Sequence, residues 1–191
     1  MNDDIRAKKL IYHLTSLENL PSILARGLLP RAMVPEFVDV ADPDIISDRK
    51  RLQLEQCVPF HFFAKNPFDG RVQRDHPRKR FALISVRRDV ARANRWKIIP
   101  KHPLAGDVIQ VHEFDAGIDA IDWEAMNRRD YADQNSKCVC MAECISPGPL
   151  PPNLFQAIYV KDDASVASVR ALLVGTGLSP FVDAAPAMFS K

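Results

Sequence analysis

Leu10-Ile11-Tyr12-His13-Leu14-Thr15-Ser16-Leu17-Glu18-Asn19-Leu20-Pro21-Ser22-Ile23-Leu24-Ala25-Arg26-Gly27-Leu28 contains a strand, a helix start and a helix stop within one short stretch. Leu10 to Leu14 is apolar and short enough for a strand. Ser16 then serves as an N-cap with Asn19 three positions on, and Leu20, Ile23 and Leu24 fall on one helical face. Gly27 stops the helix as the residue just past its end.

The same alternation continues down the chain. Asp42-Pro43 opens a shorter helix at about Asp44 to Glu55, and Val58 to Phe63 reads as a strand. Asn66-Pro67-Phe68-Asp69-Gly70 reads as a turn. A strand is expected over Phe81 to Val86, a basic helix over Arg87 to Asn94, a strand over Asp107 to Phe114 and a helix over Trp123 to Tyr131. Cys138 to Ile145 reads as a buried strand, which puts Cys138 and Cys140 on one side of it. Pro147 to Pro152 excludes regular structure. Ala157 to Val160 is a strand, Ala164 to Val174 a helix with Val166, Val169 and Leu173 inward, and the tail after Ser179 is weakly patterned. Strands and helices mix without strict βαβ order, so the fold class is α+β. Neither a repeat nor a linker interrupts the pattern, and residues 1–191 read as one domain.

With 47% hydrophobic and 26% charged residues, the composition excludes a disordered or fibrous chain. No apolar run approaches the roughly 20 residues of a membrane span, and the N-terminus lacks the apolar core of a secretory signal. The expected location is therefore cytoplasmic. The four cysteines do not form the spaced pairs of a zinc site, so no metal is expected.

The net charge of +2 conceals a strong segregation. Eleven basic residues against two acids stand between Arg71 and Lys101, a surplus of +9, while Asp107 to Asp133 holds eight acids and only Arg128 and Arg129. The basic block reads either as a polyanion-binding surface or as a partner for the acidic segment.

Three polar residues interrupt apolar strands: His13, His61 and Glu143. An unpaired polar atom buried there costs on the order of a few kcal/mol. Glu143 is the most costly and so the strongest candidate for a site, where a raised pKa or a charged partner is expected. Its structural alternative is the solvent-facing end of an edge strand. His13 by itself also reads as a satisfied core histidine. The chain has no phosphate-binding Gly-x-x-x-x-Gly-Lys-Ser/Thr loop, no Gly-x-Gly-x-x-Gly, no Gly-x-Ser-x-Gly and no zinc-deaminase signature, which removes those enzyme classes.

Taken in order, several segments resemble one family. Ile11-Tyr12-His13-Leu14-Thr15, then Asn19 to Leu24 and Gly27-Leu28, look like the opening of the DarT-type DNA ADP-ribosyltransferases, the toxins of bacterial toxin–antitoxin pairs. Arg49 and Arg51 stand where that family has an Arg-rich helix, and Val58-Pro59-Phe60-His61-Phe62 resembles its Val-Pro-Phe-Tyr-Phe strand. Asn66-Pro67, His102, Asp122-Trp123-Glu124, and Lys137 to Glu143 with its Ala-Glu ending continue the likeness to about Val160. His61 departs from the family's tyrosine, and the glycine-rich stretch that often precedes Val-Pro-Phe is absent.

The resemblance implies an ADP-ribosyltransferase-like split mixed β-sheet flanked by helices. It also implies transfer of ADP-ribose from NAD to a base, thymine or guanine, of single-stranded DNA, and a macrodomain antitoxin as partner. Glu143 matches the catalytic glutamate, Arg49 or Arg51 the site arginine, and His13, Thr15, Asn19, Leu20 and His102 the NAD-binding residues. Chemically, a carboxylate in a dry site suits the oxocarbenium-like ribose, and one glutamate is also placed to take the proton of the attacking base. Arg71, Arg74, Arg78 and Arg80 are expected to follow DNA phosphates, with Trp96, Phe68 and Phe81 stacking on bases. An enzyme acting on RNA or protein, or a nucleic-acid-binding module without catalysis, fits the same residues less fully.

Overall fold

The computed structural model describes residues 4–34, 54–102 and 109–190. Its strands are β1 (Leu10–Ser16), β2 (Val58–His61), β3 (Phe81–Arg87), β4 (Lys97–Ile99), β5 (His112–Glu113), β6 (Glu143–Ser146), β7 (Ala157–Val160) and β8 (Phe181–Ala184). The helices are α1 (Leu20–Arg26), α2 (Pro67–Asp75), α3 (Arg88–Ala93), α4 (Phe114–Ala120), α5 (Trp123–Arg128), α6 (Gln134–Val139) and α7 (Asp163–Leu173).

All the strands join one mixed sheet in the order β5-β4-β6-β2-β1-β3-β7-β8. Neighbours run antiparallel except β7 and β8, which are parallel and joined through α7, as parallel pairs require a crossover. The sheet is tightly laddered on either side of its middle. Strands β1 and β3 pair continuously from Leu10↔Arg87 to Ser16↔Phe81, and β2 and β6 from Val58↔Ser146 to His61↔Glu143. Between these halves, β1 and β2 share a single register pair, Tyr12↔His61. Pro59 explains the parting, since it has no N–H for a ladder. Its carbonyl faces β1 and accepts a hydrogen bond from His13 Nδ1–H at 2.8 Å, so a side chain closes what the backbone leaves open.

Alternation along the strands divides the apolar residues between two faces. Ile11, Phe60, Ile84, Trp96 and Ile98 look into the larger core with α1, α3, α5 and α7, while Leu14, Phe81 and Leu83 meet Val72 of α2 and Phe189 of the tail on the other. Two glycines permit close approach. Gly27 has φ +90, and an added Cβ would lie 2.7 Å from Leu150 O; at Gly117, on α4, it would lie 2.3 Å from Ile98 Cβ.

Several expectations change. The stretch read as a turn at Asn66 starts α2: Asn66 Oδ1 caps Asp69 N–H and Pro67 takes the first helical position, where its missing N–H costs nothing. The strand read over Cys138 to Ile145 is two elements. Asp133 caps α6 through the N–H groups of Asn135 and Ser136, and the strand begins only at Glu143. Cys138 and Cys140 therefore do not share a strand face. The strand expected from Asp107 shrinks to β5, with residues 107 and 108 outside the description, and Arg129 in the left-handed region ends α5 early. The tail forms β8, which the pattern did not suggest. Of the helix expected over Asp44 to Glu55, all but Leu54 and Glu55 lie outside the described residues; those two belong to a short 3-10 turn. No helix among the described residues is long and apolar enough to cross a membrane.

Candidate active site

Register carries three polar side chains across the middle of the sheet. Tyr12 on β1 faces His61 on β2, His61 faces Glu143 on β6, and Glu143 faces Ile99 on β4. Directly opposed residues project to the same side with Cβ atoms roughly 4.5–5.5 Å apart, so Tyr12, His61 and Glu143 stand side by side on the face that α2 covers. Glu143 is 6% exposed and lies on an interior strand between β2 and β4. The edge-strand reading of Glu143 is thereby corrected, because both its neighbours are laddered.

His61 is 5% exposed. Its Nδ1–H donates to the carbonyl of Ala142 at 3.1 Å, the peptide immediately before Glu143. Because a carbonyl only accepts, the proton is fixed on Nδ1, and among the described residues no hydrogen bond occupies Nε2. Phe68 of α2 lies 5.6 Å from the imidazole, ring centre to ring centre. The next residue of α2, Asp69, is 1% exposed. Its Oδ2 accepts from Asn66 Nδ2 at 2.7 Å, and its Oδ1 has no hydrogen-bond partner. Burial pushes the Asp69 carboxyl up to about 6, against the opposing attraction of His61 and the Asn66 hydrogen bond. Burial also raises the Tyr12 hydroxyl.

His13, Thr15 and Asn19 gather elsewhere. His13 and Thr15 alternate with Tyr12 along β1 and so face the opposite side, where the His13 ring lies 5.7 Å from Phe60. Asn19 Nδ2 donates to Thr15 Oγ1 at 3.2 Å. The two groups of polar residues therefore flank the β1–β2 parting from its two sides. Leu20 does not join them: it is 0% exposed in the core, so it packs and offers no surface to a ligand. His102 follows β4, and its N–H donates to Cys138 O at 3.0 Å, which ties this loop to the end of α6 just before Glu143. Arg49 and Arg51 lie outside the described residues.

The basic block divides in two. In its later half three residues pair with the acidic segment or with the block's own acids. Arg92 pairs with Asp115 at 2.8 Å, Lys97 with Glu113, and Arg87 with Asp89. Arg88 is structural, donating to the carbonyls of Leu10, Arg6 and Phe62. In the earlier half, Arg71, Arg74, Arg78 and Arg80 are exposed on α2 and the loop after it. Arg71 pairs with Asp75 one turn along, whereas among the described residues Arg74, Arg78 and Arg80 form no ion pair. The expected stacking residues are corrected: Trp96 is 2% exposed and packs on Phe60 at 5.2 Å, and Phe81 is 7% exposed. Of the three aromatics, Phe68 alone is half-buried.

Sequence reasoning missed Tyr12 and Asp69. Tyr12 joins the site only through strand register, which the sequence does not display. Asp69 was signalled by its place three residues after an Asn-Pro helix start. Among the described residues no group of three or more His, Cys, Asp or Glu side chains is arranged to hold a metal ion.

These features agree with comparisons to known proteins. A DNA ADP-ribosyl transferase of Thermus aquaticus is 29% identical over 181 residues, spanning 86% of this chain and 80% of the relative. The fold matches that of Thermus sp. 2.9 DarT in complex with ADP-ribosylated ssDNA, with a TM-score of 0.81 at 19% identity over 95% of this chain and 96% of that one. The same DarT in complex with NAD+ gives a TM-score of 0.77 at 17% identity, over 96% and 98% of the two chains. Thermosipho africanus DarTG in complex with ADP-ribose gives 0.74 at 21% identity, covering 95% of this chain and 51% of that chain. The family model described as ssDNA thymidine ADP-ribosyltransferase, DarT, matches residues 12–190. A match running from the middle of β1 to the end of the tail takes in every strand of the sheet, and the chain belongs to the DarT family of ADP-ribosyltransferases.

Proposed function

We propose that this chain transfers ADP-ribose from NAD to thymidine in single-stranded DNA and releases nicotinamide, with Glu143 as the catalytic carboxylate. The observation that supports this most is the burial of Glu143 on an interior strand, at 6% exposure. As the bond between nicotinamide and ribose lengthens, positive charge grows at the ribose. A carboxylate already fixed in a water-poor site stabilises that charge without reorganising.

By the family resemblance, Arg49 or Arg51 is the site arginine. His13, Thr15 and Asn19 bind NAD from the other side of the β1–β2 parting, and His102 supports the wall near Glu143. Arg71, Arg74, Arg78 and Arg80 grip phosphates, which places the strand of DNA along the α2 side of the sheet. A single strand suits this because its bases need not be unstacked from a duplex. In thymidine the sugar occupies N1, so N3 is the ring nitrogen left for attack. N3 carries a proton that must leave as the new bond forms.

The family match over residues 12–190 supports reading residues 1–191 as one catalytic domain. The likeness to DarTG, together with the family resemblance, supports a cytoplasmic toxin with a macrodomain antitoxin as partner.

Incubation with labelled NAD and, separately, single-stranded DNA, RNA or protein tests the assignment. Label is expected on thymidine-containing DNA and is expected to fall by roughly 10²–10⁴-fold or more in Glu143→Gln, with the melting temperature preserved. Label on RNA or protein instead would reassign the acceptor, and no transfer to any acceptor would leave a binding module.

A further inference from the structure

His61 has a fixed tautomer and a vacant lone pair beside Glu143. Its Nδ1–H is committed to Ala142 O, so a neutral imidazole presents Nε2 as an acceptor, and among the described residues no donor meets it. Register puts His61 and Glu143 on adjacent strands and the same face, within reach of one small substrate group. Nε2 is not among the side-chain atoms shut off from the surface without a partner, so a donor brought by the substrate can reach it.

We propose that His61 is a second catalytic residue, whose Nε2 takes the N3–H proton of the acceptor thymine while Glu143 faces the ribose. This rests on the assignment of thymidine as acceptor made above. In the step, the N3–H electron pair becomes the new N3–C1′ bond and the proton passes to Nε2. The bond from C1′ to the nicotinamide nitrogen breaks, with its electron pair leaving on neutral nicotinamide. The positive charge that NAD carried on its pyridinium ring ends on the imidazolium.

The surroundings favour that product. Asp69 on α2 is buried against His61 with an oxygen that no hydrogen bond satisfies, and its carboxylate form interacts favourably with a protonated His61. Beside His61 in the sheet stand Glu143 from β6 and Tyr12 from β1, with Tyr159 of β7 beyond Tyr12. Dividing the two tasks spares Glu143 from neutralisation while ribose charge is developing.

The test uses the full chain, NAD and a single-stranded oligonucleotide with one thymine. Asn at position 61 reproduces a donor at the Nδ1 position but offers nothing at Nε2, so His61→Asn separates the proton role from the bond to Ala142. Expected is a loss of transfer kcat by roughly 10²–10⁴-fold, with the KM for NAD and the melting temperature unchanged. In His61→Ala, added imidazole is expected to restore part of the rate in proportion to its concentration. Full transfer by His61→Asn, parallel losses of KM and melting temperature, or failure of imidazole to rescue a folded His61→Ala that still binds NAD would each overturn the proposal. Absence of transfer by the wild-type chain would instead overturn the thymidine assignment. Transfer by wild type and His61→Asn but not by Glu143→Gln would remove only the role of His61.

Discussion

The guanidinium of Arg88 sits over the ring of Phe62, 5.0 Å from its centre, and 5.7 Å from the ring centre of Trp123 at the start of α5. Three carbonyls from separate segments accept its N–H groups. Burial brings its pKa down to about 10, with Cys144, Tyr12 and Asp4 acting in the opposite direction. Although it belongs to the basic block, this arginine clamps the N-terminal segment to the sheet. Arg88→Ala is expected to destabilise the fold by about 2–4 kcal/mol, through lost ring contact and unsatisfied carbonyls. Arg88→Lys should recover only part of this, since an ammonium cannot fork to three acceptors. Thermal denaturation checks both, and the salt dependence of DNA binding should not change.

Charge reversal should separate the two halves of the basic block. Arg78→Glu with Arg80→Glu is expected to weaken single-stranded DNA modification at moderate salt and to flatten its salt dependence, because fewer counterions are released on binding. Reversal of Arg92 should leave DNA modification unchanged, since that side chain is already paired with Asp115. Initial rates of label transfer over a series of salt concentrations distinguish the cases. An equal effect of both reversals would show that the paired half also contacts DNA.

Asp69 sets a stability cost with a definite pH signature. Its folded-state carboxyl titrates at about 6 against an ordinary 3.8, so between these values the folded chain holds the proton more tightly than the unfolded chain. Stability from this group is complete below pH 3.8 and is lost as pH rises through about 6. At neutral pH the penalty is about 3 kcal/mol. Asp69→Asn is therefore expected to raise stability at pH 7 by up to this amount, with the gain vanishing near pH 4, as denaturant titrations at the two pH values would show. The same substitution should slow transfer, because it removes the carboxylate facing His61. A more stable but slower enzyme is the expected exchange at a functional site.

The legible parts of this fold are those in which periodicity and capping agree. Strand β1 and the Gly27 stop follow from local residues, and β3 and β7 from uninterrupted apolar runs, whereas Ser16 caps a 3-10 turn over Leu17–Asn19 and α1 begins only at Leu20. Helix α2 escaped because Asn-Pro is equally the start of a turn and of a helix, and only the burial of Val72 against Leu14 and Leu83 decides it. The run Cys138-Val139-Cys140-Met141-Ala142 is apolar all round, which fits a buried helix as well as a strand; Asp133 as N-cap was the available signal. Strand β8 owes its state to pairing with β7 and shows little pattern of its own.

The site was legible where a polar residue broke an apolar strand, as at His13, His61 and Glu143. It was illegible where membership depends on register or tertiary contact. Trp96 shows the limit most clearly: an aromatic flanked by Arg95 and Lys97 suggests a base-stacking surface, yet the neighbouring charges point outward while the ring fills the core beside Phe60.

The single pair Tyr12↔His61 has a mechanical meaning. The sheet is two four-stranded panels stitched by that pair and by the His13–Pro59 hydrogen bond. His61 and Glu143 ride on one panel, and His13 and Thr15 on the other. Either panel keeps its own ladder if the stitch yields, so the separation between the donor-binding group and the acceptor-facing group is set by a seam, the cheapest place in the sheet to flex. Catalytic alignment in this chain is a property of how two stiff plates meet, rather than of the stiffness of either.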